Sequence, residues 1–162
     1  MRILAIDPGN LYSAYCLIET DTMKPLQFDK TENAIVRAAL EQKEQYDKAV
    51  IEMIGHYGTG MPAGKSVFDT CVWIGRFMET AERTGRTIDM LMRREEKLDL
   101  CGSMKAKDSN IVQALIDRFA PNTANRGKGR KNQPGWFYGF HADIWQAYAV
   151  GVTYIDKVSG RR

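Results

Sequence analysis

Three acidic residues stand where the sequence is otherwise apolar. Asp7 follows the run ILAI, Glu52 lies inside VIEMI, and Asp143 precedes the helical pattern IWQAYAV. A carboxylate in a buried stretch costs free energy unless it is paired, hydrogen-bonded or bound to a cation. Carboxylate oxygens, without a cluster of cysteine or histidine, are the ligands that Mg²⁺ and Mn²⁺ prefer. The pattern therefore predicts a divalent metal site.

Two of the three acids also have a purely structural interpretation. Asp7 begins a tight turn at residues 7–10 (DPGN), and turns commonly contain aspartate. Asp143 is an acid at the N-terminus of a helix, where the helix dipole favours a negative charge. Glu52, inside an apolar strand, has no such explanation. The three acids taken together favour the metal site over separate structural roles.

The periodicity of apolar residues predicts the elements that must bring these acids together. Strands are predicted at residues 3–6, 13–19, 25–30, 48–53 and 87–92, and helices at residues 33–46, at 66–80, from 108 and from about 142. Turn-length links between the first three strands indicate an antiparallel meander. The order predicts one α/β domain over residues 1–162, a mixed sheet with helices packed on it. Sites in such sheets lie beyond the carboxyl ends of strands.

The composition excludes several classes of protein. A chain of 162 residues with 44% hydrophobic and 27% charged residues is typical of a globular domain, and a net charge of +3 indicates nucleic-acid binding only if a local basic patch exists. Three separated cysteines without a CxxC pair argue against a zinc site or a disulfide framework. No apolar run reaches the roughly 20 residues of a membrane helix, and the N-terminus does not resemble a signal peptide. We therefore expect a cytoplasmic protein without membrane contact.

Three motifs resemble RuvC-type Holliday-junction resolvases, especially their phage-encoded relatives: ILAIDPGN at the start, VIEM in the middle strand, and GSMKAKDSNIVQALI before the last helix. The resemblance covers nearly the whole chain. It implies a ribonuclease H-like fold, with a mixed five-stranded sheet flanked by helices, in a bacterial or phage-infected cell. Actin-like ATPases open with a strand and turn similar to IDPG, but they need two such domains and this chain has room for one.

The resemblance implies metal-ligand roles for Asp7, Glu52 and Asp143. It also implies a basic residue beside the scissile phosphate, for which Lys107 is the better match and Lys105 the fallback. The role of the basic residue is carried over to these two lysines because both lie in the KAK segment of the third motif. The expected catalytic set is therefore three carboxylates and one lysine.

The sequence departs from the family at the fourth metal ligand. The family's last helix offers two ligand-capable residues three apart, and position 146 here is glutamine. Asp143 and Gln146 would share one helix face, and an amide can coordinate through its carbonyl oxygen without adding charge. His141, just before the helix, is the alternative ligand, although a solvent-facing loop position explains it equally well.

The glycine-rich segment 55–66 invites comparison with a phosphate-binding P-loop. That motif requires four residues between its first glycine and the GK pair. Here Gly60 leaves three and Gly58 leaves five, so no nucleotide cofactor is predicted. The segment follows Glu52 and suits DNA contact. We expect Tyr57 either to stack on an unpaired base or to pack on the backbone of its own loop.

A local basic patch lies in residues 121–135, which contain no acid. Its basic members are Arg126, Lys128, Arg130 and Lys131. Such residues position DNA through its phosphates without reading sequence. The neighbouring Trp136, Phe137 and Tyr138 favour nucleic-acid contact, and the alternative is a solvated surface loop.

These features predict a Mg²⁺-dependent endonuclease, with Mn²⁺ able to substitute, that nicks branched DNA and resolves four-way junctions. Two ions held by Asp7, Glu52 and Asp143 would activate a water and stabilise the leaving 3′ oxygen, while Lys107 would neutralise charge on the phosphate. Because the junction presents symmetry-related strands, a C2 homodimer is expected. The apolar face of helix 66–80 or of the last helix would form its interface.

Two other functions fit the same sequence. One is a non-catalytic DNA-binding relative whose metal site has decayed at Gln146. The other is a nuclease of the same fold that acts on replication forks or RNA–DNA hybrids. Cleavage measured with Mg²⁺ and with Mn²⁺ distinguishes the first alternative from a resolvase, and competition among substrates distinguishes the second.

Overall fold

The computed structural model describes residues 1–42, 44–55 and 64–161. In chain order the elements are β1 (Arg2–Asp7), β2 (Tyr12–Glu19), β3 (Pro25–Glu32), α1 (Asn33–Glu41), β4 (Lys48–Met53), α2 (Lys65–Arg83), β5 (Ile88–Met92), α3 (Arg93–Cys101), α4 (Asp108–Phe119), β6 (Gly129–Arg130), β7 (Gln133–Pro134) and α5 (Ile144–Ser159). The first five strands form one sheet in the order β3-β2-β1-β4-β5. A second, two-stranded sheet pairs β6 with β7 inside the basic segment.

The large sheet is mixed, as the sequence predicts. β1, β2 and β3 form an antiparallel meander. β4 and β5 run parallel to β1, because each is reached through a helix that crosses over the sheet. The carboxyl ends of β1, β4 and β5 therefore meet at the same edge of the sheet.

Successive side chains of a strand point to opposite faces of the sheet, so the buried residues form one core on each face. In β1, Ile3 and Ala5 belong to one cluster of buried residues, whereas Leu4 and Ile6 belong to another. The first cluster is completed by residues of α3, α4 and α5, and the second by residues of α1 and α2. We call these two sides the α5 face and the α2 face.

The helix α5 is buried along most of its length because it is apolar almost all round. Gly151 lets it approach the sheet closely: a Cβ there would lie 2.9 Å from Cβ of Ala5 and would overlap Ile18. The apolar surface of α5 from Ile144 to Asp156 is covered by the rest of the chain, which leaves little of the last helix for the dimer interface expected there. No helix in the described ranges is long and apolar enough to cross a membrane.

Two helices of the structure differ from the sequence prediction. The first helix ends at Glu41 rather than at 46, because the chain turns so that the buried Tyr46 hydroxyl donates a hydrogen bond to the Leu40 carbonyl at 2.7 Å. The helix α3 was not predicted at all. Its sequence RREEKLDLC is mostly charged and has too few apolar residues to show helical periodicity.

We expect Gly151→Ala to destabilise the protein although alanine is the better helix former. Alanine gains up to about 1 kcal/mol in helix propensity, but overpacking against Ala5 and Ile18 costs about 1–3 kcal/mol. Thermal unfolding should show a lower Tm. Gly75→Ala is the matched control, because no atom lies within 4 Å of a Cβ at Gly75 in α2, and its Tm should stay level or rise. A Tm for Gly151→Ala above that of the wild type would contradict the close packing of α5.

Candidate active site

A row of residues crosses the sheet at the carboxyl end of β1. The strand registers pair Asp7 with Ala14 and Ala14 with Lys30, and the parallel β1–β4 register brings Glu52 beside Asp7. Each of these positions falls on the α5 face, since each lies an even number of residues from core positions of that face in its own strand. The adjacent positions of Asp7 and Glu52 follow directly from the pairing of the two strands that they interrupt.

Asp143 joins this row from above, at the N-cap of α5. Its carbonyl oxygen accepts the backbone N–H groups of Gln146 and Ala147, which fixes the first turn of the helix. Its carboxylate Oδ2 lies 2.5 Å from Nζ of Lys30. The structure thus brings the three acids predicted from the sequence to the same end of the α5 face.

Within the row, Asp7 and Glu52 lie close enough together to shift each other's pKa values. Burial raises the pKa of Asp7 well above its usual range, and the charges of Glu52 and Asp143 raise it further. Burial also raises the pKa of Glu52, against the opposing charge of Arg93 and a hydrogen bond with Asp7. In the metal-free protein both groups are therefore harder to ionise than exposed carboxyl groups. A divalent cation would stabilise both carboxylates.

A buried polar network fixes the turn that carries Asp7. The Gly9 N–H donates to Ser13 Oγ at 3.1 Å, the Ser13 hydroxyl donates to Asn33 Oδ1 at 2.6 Å, and Asn33 Nδ2 donates to the Gly9 carbonyl at 2.9 Å. Glycine is required because a Cβ at that position would overlap the carbonyl oxygen of Tyr12. Asn33, the first residue of α1, thus holds the chain just beyond the strand end.

Arg93, the first residue of α3, contacts three carboxylates. Its Nη1 lies 2.7 Å from Oε2 of Glu96 and 3.6 Å from Oε2 of Glu52, and its Nη2 lies 2.6 Å from Oδ1 of Asp108. Burial opposes the charge of Arg93, but Glu96 and Glu52 outweigh that effect and raise its pKa. Arg93 therefore connects the acid on β4 to the start of α4.

Sequence reasoning missed Arg93, Glu96 and Lys30, each for a definite reason. Arg93 and Glu96 belong to the unpredicted α3. Glu96 is fully buried, and its Oε1 has no hydrogen-bond partner among the residues that the structure describes. Lys30 could have been inferred from the sequence. In an antiparallel meander the lengths of the turns determine which residues pair, and here Lys30 pairs with Ala14 and Ala14 with Asp7, which places Lys30 on the same face as Asp7.

Lys107 and Lys105 are exposed and lie just before α4. Lys107 is the N-cap of α4, where its backbone N–H donates to Asn110 Oδ1 at 2.8 Å. The next residue, Asp108, forms the ion pair with Arg93. Through Arg93 the start of α4 is held near Glu52.

The two candidates for a fourth ligand differ in their surroundings. The side-chain oxygen of Gln146 is buried and has no hydrogen-bond partner within the described part of the chain. His141 is exposed, and its Nδ1 lies 3.0 Å from the carbonyl oxygen of Gly139 in its own loop. A buried carbonyl oxygen with free lone pairs suits a hard cation such as Mg²⁺. The donor set therefore fits that ion better with Gln146 than with His141.

The carboxylates are held by cations of the protein itself. Asp143 is paired with Lys30, and Glu52 faces Arg93. Within residues 1–42, 44–55 and 64–161, no three Asp, Glu, His or Cys side chains are arranged to enclose a metal ion. Binding of a divalent ion would thus require these side chains to exchange partners.

The basic segment is an ordered hairpin at the surface. Arg126, Arg130 and Lys131 are exposed, whereas Lys128 is half-buried. Of the aromatic residues beside it, Phe137 is fully buried and Trp136 stacks on Phe119, so both belong to the core and only Tyr138, 45% exposed, faces solvent. The expected aromatic contribution is thus reduced to one side chain. Tyr57 lies outside the described residues.

Comparison with known proteins identifies the fold. The sequence matches no protein-family model, and no curated protein sequence matches it significantly. The structure of RuvC from Thermus thermophilus matches with a TM-score of 0.71 over 99% of this chain and 97% of that one, at 12% identity. T. thermophilus RuvC in complex with Holliday junction substrate matches with a TM-score of 0.69 over 99% and 96%, at 11% identity. The expected ribonuclease H-like fold is confirmed.

We expect Asp7→Asn to stabilise the metal-free protein at neutral pH. Because the pKa of Asp7 is raised in the folded state, its ionisation disfavours folding as pH rises through that pKa, and asparagine removes this cost. Each 1 kcal/mol added to the free energy of unfolding raises the Tm of a protein of this size by about 2–4 °C. The difference should vanish as pH falls below the ordinary value of 3.8, where the unfolded-state carboxyl is also protonated.

Thermal unfolding in chelator at several pH values measures this effect, with the exposed Asp21→Asn as control. Added Mg²⁺ should raise the Tm of the wild type more than that of Asp7→Asn. A variant less stable than the wild type at neutral pH would show that the carboxylate of Asp7 has a structural role.

Proposed function

We propose that the protein is a divalent-metal-dependent endonuclease that cleaves branched DNA and resolves four-way junctions by paired nicks. The observation that carries the proposal is the pair of buried carboxyl groups, Asp7 and Glu52, side by side beneath the N-terminus of the helix that carries Asp143. Buried like charges of this kind are retained where they bind a cation or a proton for chemistry. The likeness in fold to RuvC bound to a junction supports DNA as the substrate.

The residues present fit Mg²⁺, with Mn²⁺ as a substitute. Asp7, Glu52 and Asp143 would hold two ions, and Gln146 would add its unpartnered carbonyl oxygen. When bound, such ions lower the pKa of a coordinated water and neutralise charge on the leaving oxygen. The oxygen-only donor set and its negative charge support this assignment.

The protein's own groups orient the reaction. Hydrolysis of a phosphodiester forms a bond from phosphorus to the water oxygen and breaks the bond to the 3′ oxygen, which leaves a 5′ phosphate and a 3′ hydroxyl. Lys107, at the rim beside the Arg93–Asp108 ion pair, would neutralise charge on the phosphate, with Lys105 as the alternative. The network of Gly9, Ser13 and Asn33 would keep Asp7 in place through the reaction.

Resolution of a junction requires two active sites, which a C2 homodimer supplies. The surface that fits this role lies on α2, where Phe68 is 62% exposed and Val72 is 54% exposed. These residues are one turn apart and share a face of the helix. Because α2 covers the sheet face opposite to the acids, dimerisation there would leave both active sites open to DNA.

The exposed hairpin residues Arg126, Arg130 and Lys131, with Lys128, would contact phosphates of the junction arms. Tyr57 would stack on a base at the opened crossover. The resemblance of the motifs to phage-encoded resolvases suggests a nuclease of that branch. A non-catalytic DNA-binding function is the second candidate, and the observation that favours it is the pairing of Asp143 and Glu52 with protein cations.

We expect Asp7→Asn, Glu52→Gln and Asp143→Asn each to abolish cleavage of a synthetic four-way junction with Mg²⁺ or Mn²⁺. Each substitution removes a metal ligand and keeps side-chain volume, so junction binding should persist. Gel-based cleavage and binding assays measure both quantities, and Asp21→Asn should cleave like the wild type. If the wild type binds junctions but cleaves none with either metal, the non-catalytic function is correct.

The hairpin gives an independent test of DNA binding. Changing Arg126, Lys128, Arg130 and Lys131 together to alanine should weaken junction binding and flatten its salt dependence. If all four contact phosphate, the slope of log K against log salt should fall by about 3–4 units per subunit. The exposed pair Lys24→Ala and Arg83→Ala should leave the slope unchanged. An unchanged slope in the hairpin variant would make the hairpin a solvated loop.

A further inference from the structure

Lys30 occupies an unusual place for a surface lysine. It lies near the end of β3, and its register through Ala14 puts it in the same transverse row as Asp7 and Glu52. Its side chain is 34% exposed and its ammonium contacts Asp143 at 2.5 Å. Its charge also opposes the rise in the pKa of Asp7. One lysine therefore interacts with two of the three acids of the site.

The residue between Lys30 and Asp7 makes this reach possible. Neighbouring strands are about 4.8 Å apart, so two strand spacings, roughly 10 Å, separate the backbones of β3 and β1. Ala14, buried on the intervening strand, has a side chain of one methyl group. The stem of Lys30 can pass over it toward the acids, whereas a larger residue at position 14 would stand in the way.

The contact with Asp143 is one that a divalent ion would replace. An ion pair this exposed is weak, and a doubly charged ion at the same carboxylate interacts more strongly than a single ammonium. Once Asp143 coordinates such an ion, the ammonium of Lys30 loses its partner. It remains at the rim of the row, on the β3 side.

Lys30 and Lys107 then lie on opposite sides of the acids. Lys107 starts α4, which Arg93 attaches to the β4–β5 side of the row. Lys30 belongs to the β3 side. A phosphate bound over Asp7 and Glu52 would have one lysine on each side, and the two lysines would contact different non-bridging oxygens.

We propose that Lys30 is a catalytic residue that releases Asp143 when a divalent ion binds and then contacts a non-bridging oxygen of the scissile phosphate. This role rests on the proposed nuclease function. Before substrate binds, Lys30 competes with the metal ion for the carboxylate of Asp143. During the reaction it supplies positive charge beside the phosphate. Removal of the ammonium should accordingly affect metal binding and cleavage in opposite directions.

The experiment compares Lys30→Met and Lys30→Arg with the wild type. Binding of Mn²⁺ to the protein alone, measured by electron paramagnetic resonance, should tighten about two- to fivefold in Lys30→Met, the range expected for loss of a partly exposed ion pair. Cleavage of a four-way junction at saturating Mg²⁺ should slow by about 10²-fold in single-turnover rate, the loss typical of one charge-stabilising donor. Lys30→Arg keeps the positive charge and should retain most of the rate.

Lys24→Met is the matched control, because Lys24 is exposed just before β3, at the far end of that strand from the row. It should change neither quantity. Lys30→Met cleaving at the wild-type rate would overturn the catalytic role. Weaker Mn²⁺ binding in Lys30→Met would instead make Lys30 a residue that orders Asp143, which also overturns the proposal. A wild type that cleaves no junction disproves the nuclease function itself, and the catalytic role of Lys30 with it, whereas the other two results leave that function intact.

Discussion

The burial of two carboxyl groups side by side is the constraint on which the rest of the structure depends. β1 and β4 are parallel neighbours, and alternation turns Asp7 and Glu52 to the same face. The free energy of two buried negative charges would be prohibitive without compensation. Basic residues at either end of the row provide part of that compensation, Lys30 from β3 and Arg93 from α3. A divalent cation would supply the remainder.

The helices α4 and α5, which pack above the row, are held in fixed positions by contacts with each other and with the sheet. Arg118 of α4 donates two hydrogen bonds to the buried carboxylate of Asp156 in α5, at 2.5 and 2.9 Å. Gly151 seats α5 directly on the sheet. The two helices are therefore fixed relative to one another and to β1. Since Lys107 and Asp143 are the N-caps of α4 and α5, the packing of the helices determines where these two residues lie.

The sequence indicated that the three acids lie together because each broke a local pattern. Asp7 and Glu52 end or interrupt apolar runs, and strand pairing then leaves little freedom in where they meet. Arg93 and Glu96 were missed because a charged helix has no periodic signal of its own, and their burial arises only from tertiary packing. The burial of α5 against the sheet also required the structure, since an apolar helix surface has the same sequence whether a sheet or a second subunit covers it.

The separation of the two core clusters has an evolutionary consequence. Every residue assigned to the chemistry lies on or above the α5 face, whereas α1 and α2 pack on the opposite face through a different set of buried side chains. Under the proposed function, substitutions on the α2 side would alter how subunits associate without disturbing the acids, and a change of ligand at the site would leave the α2 surface unchanged. The sheet acts as a partition between two surfaces that are free to diversify at different rates.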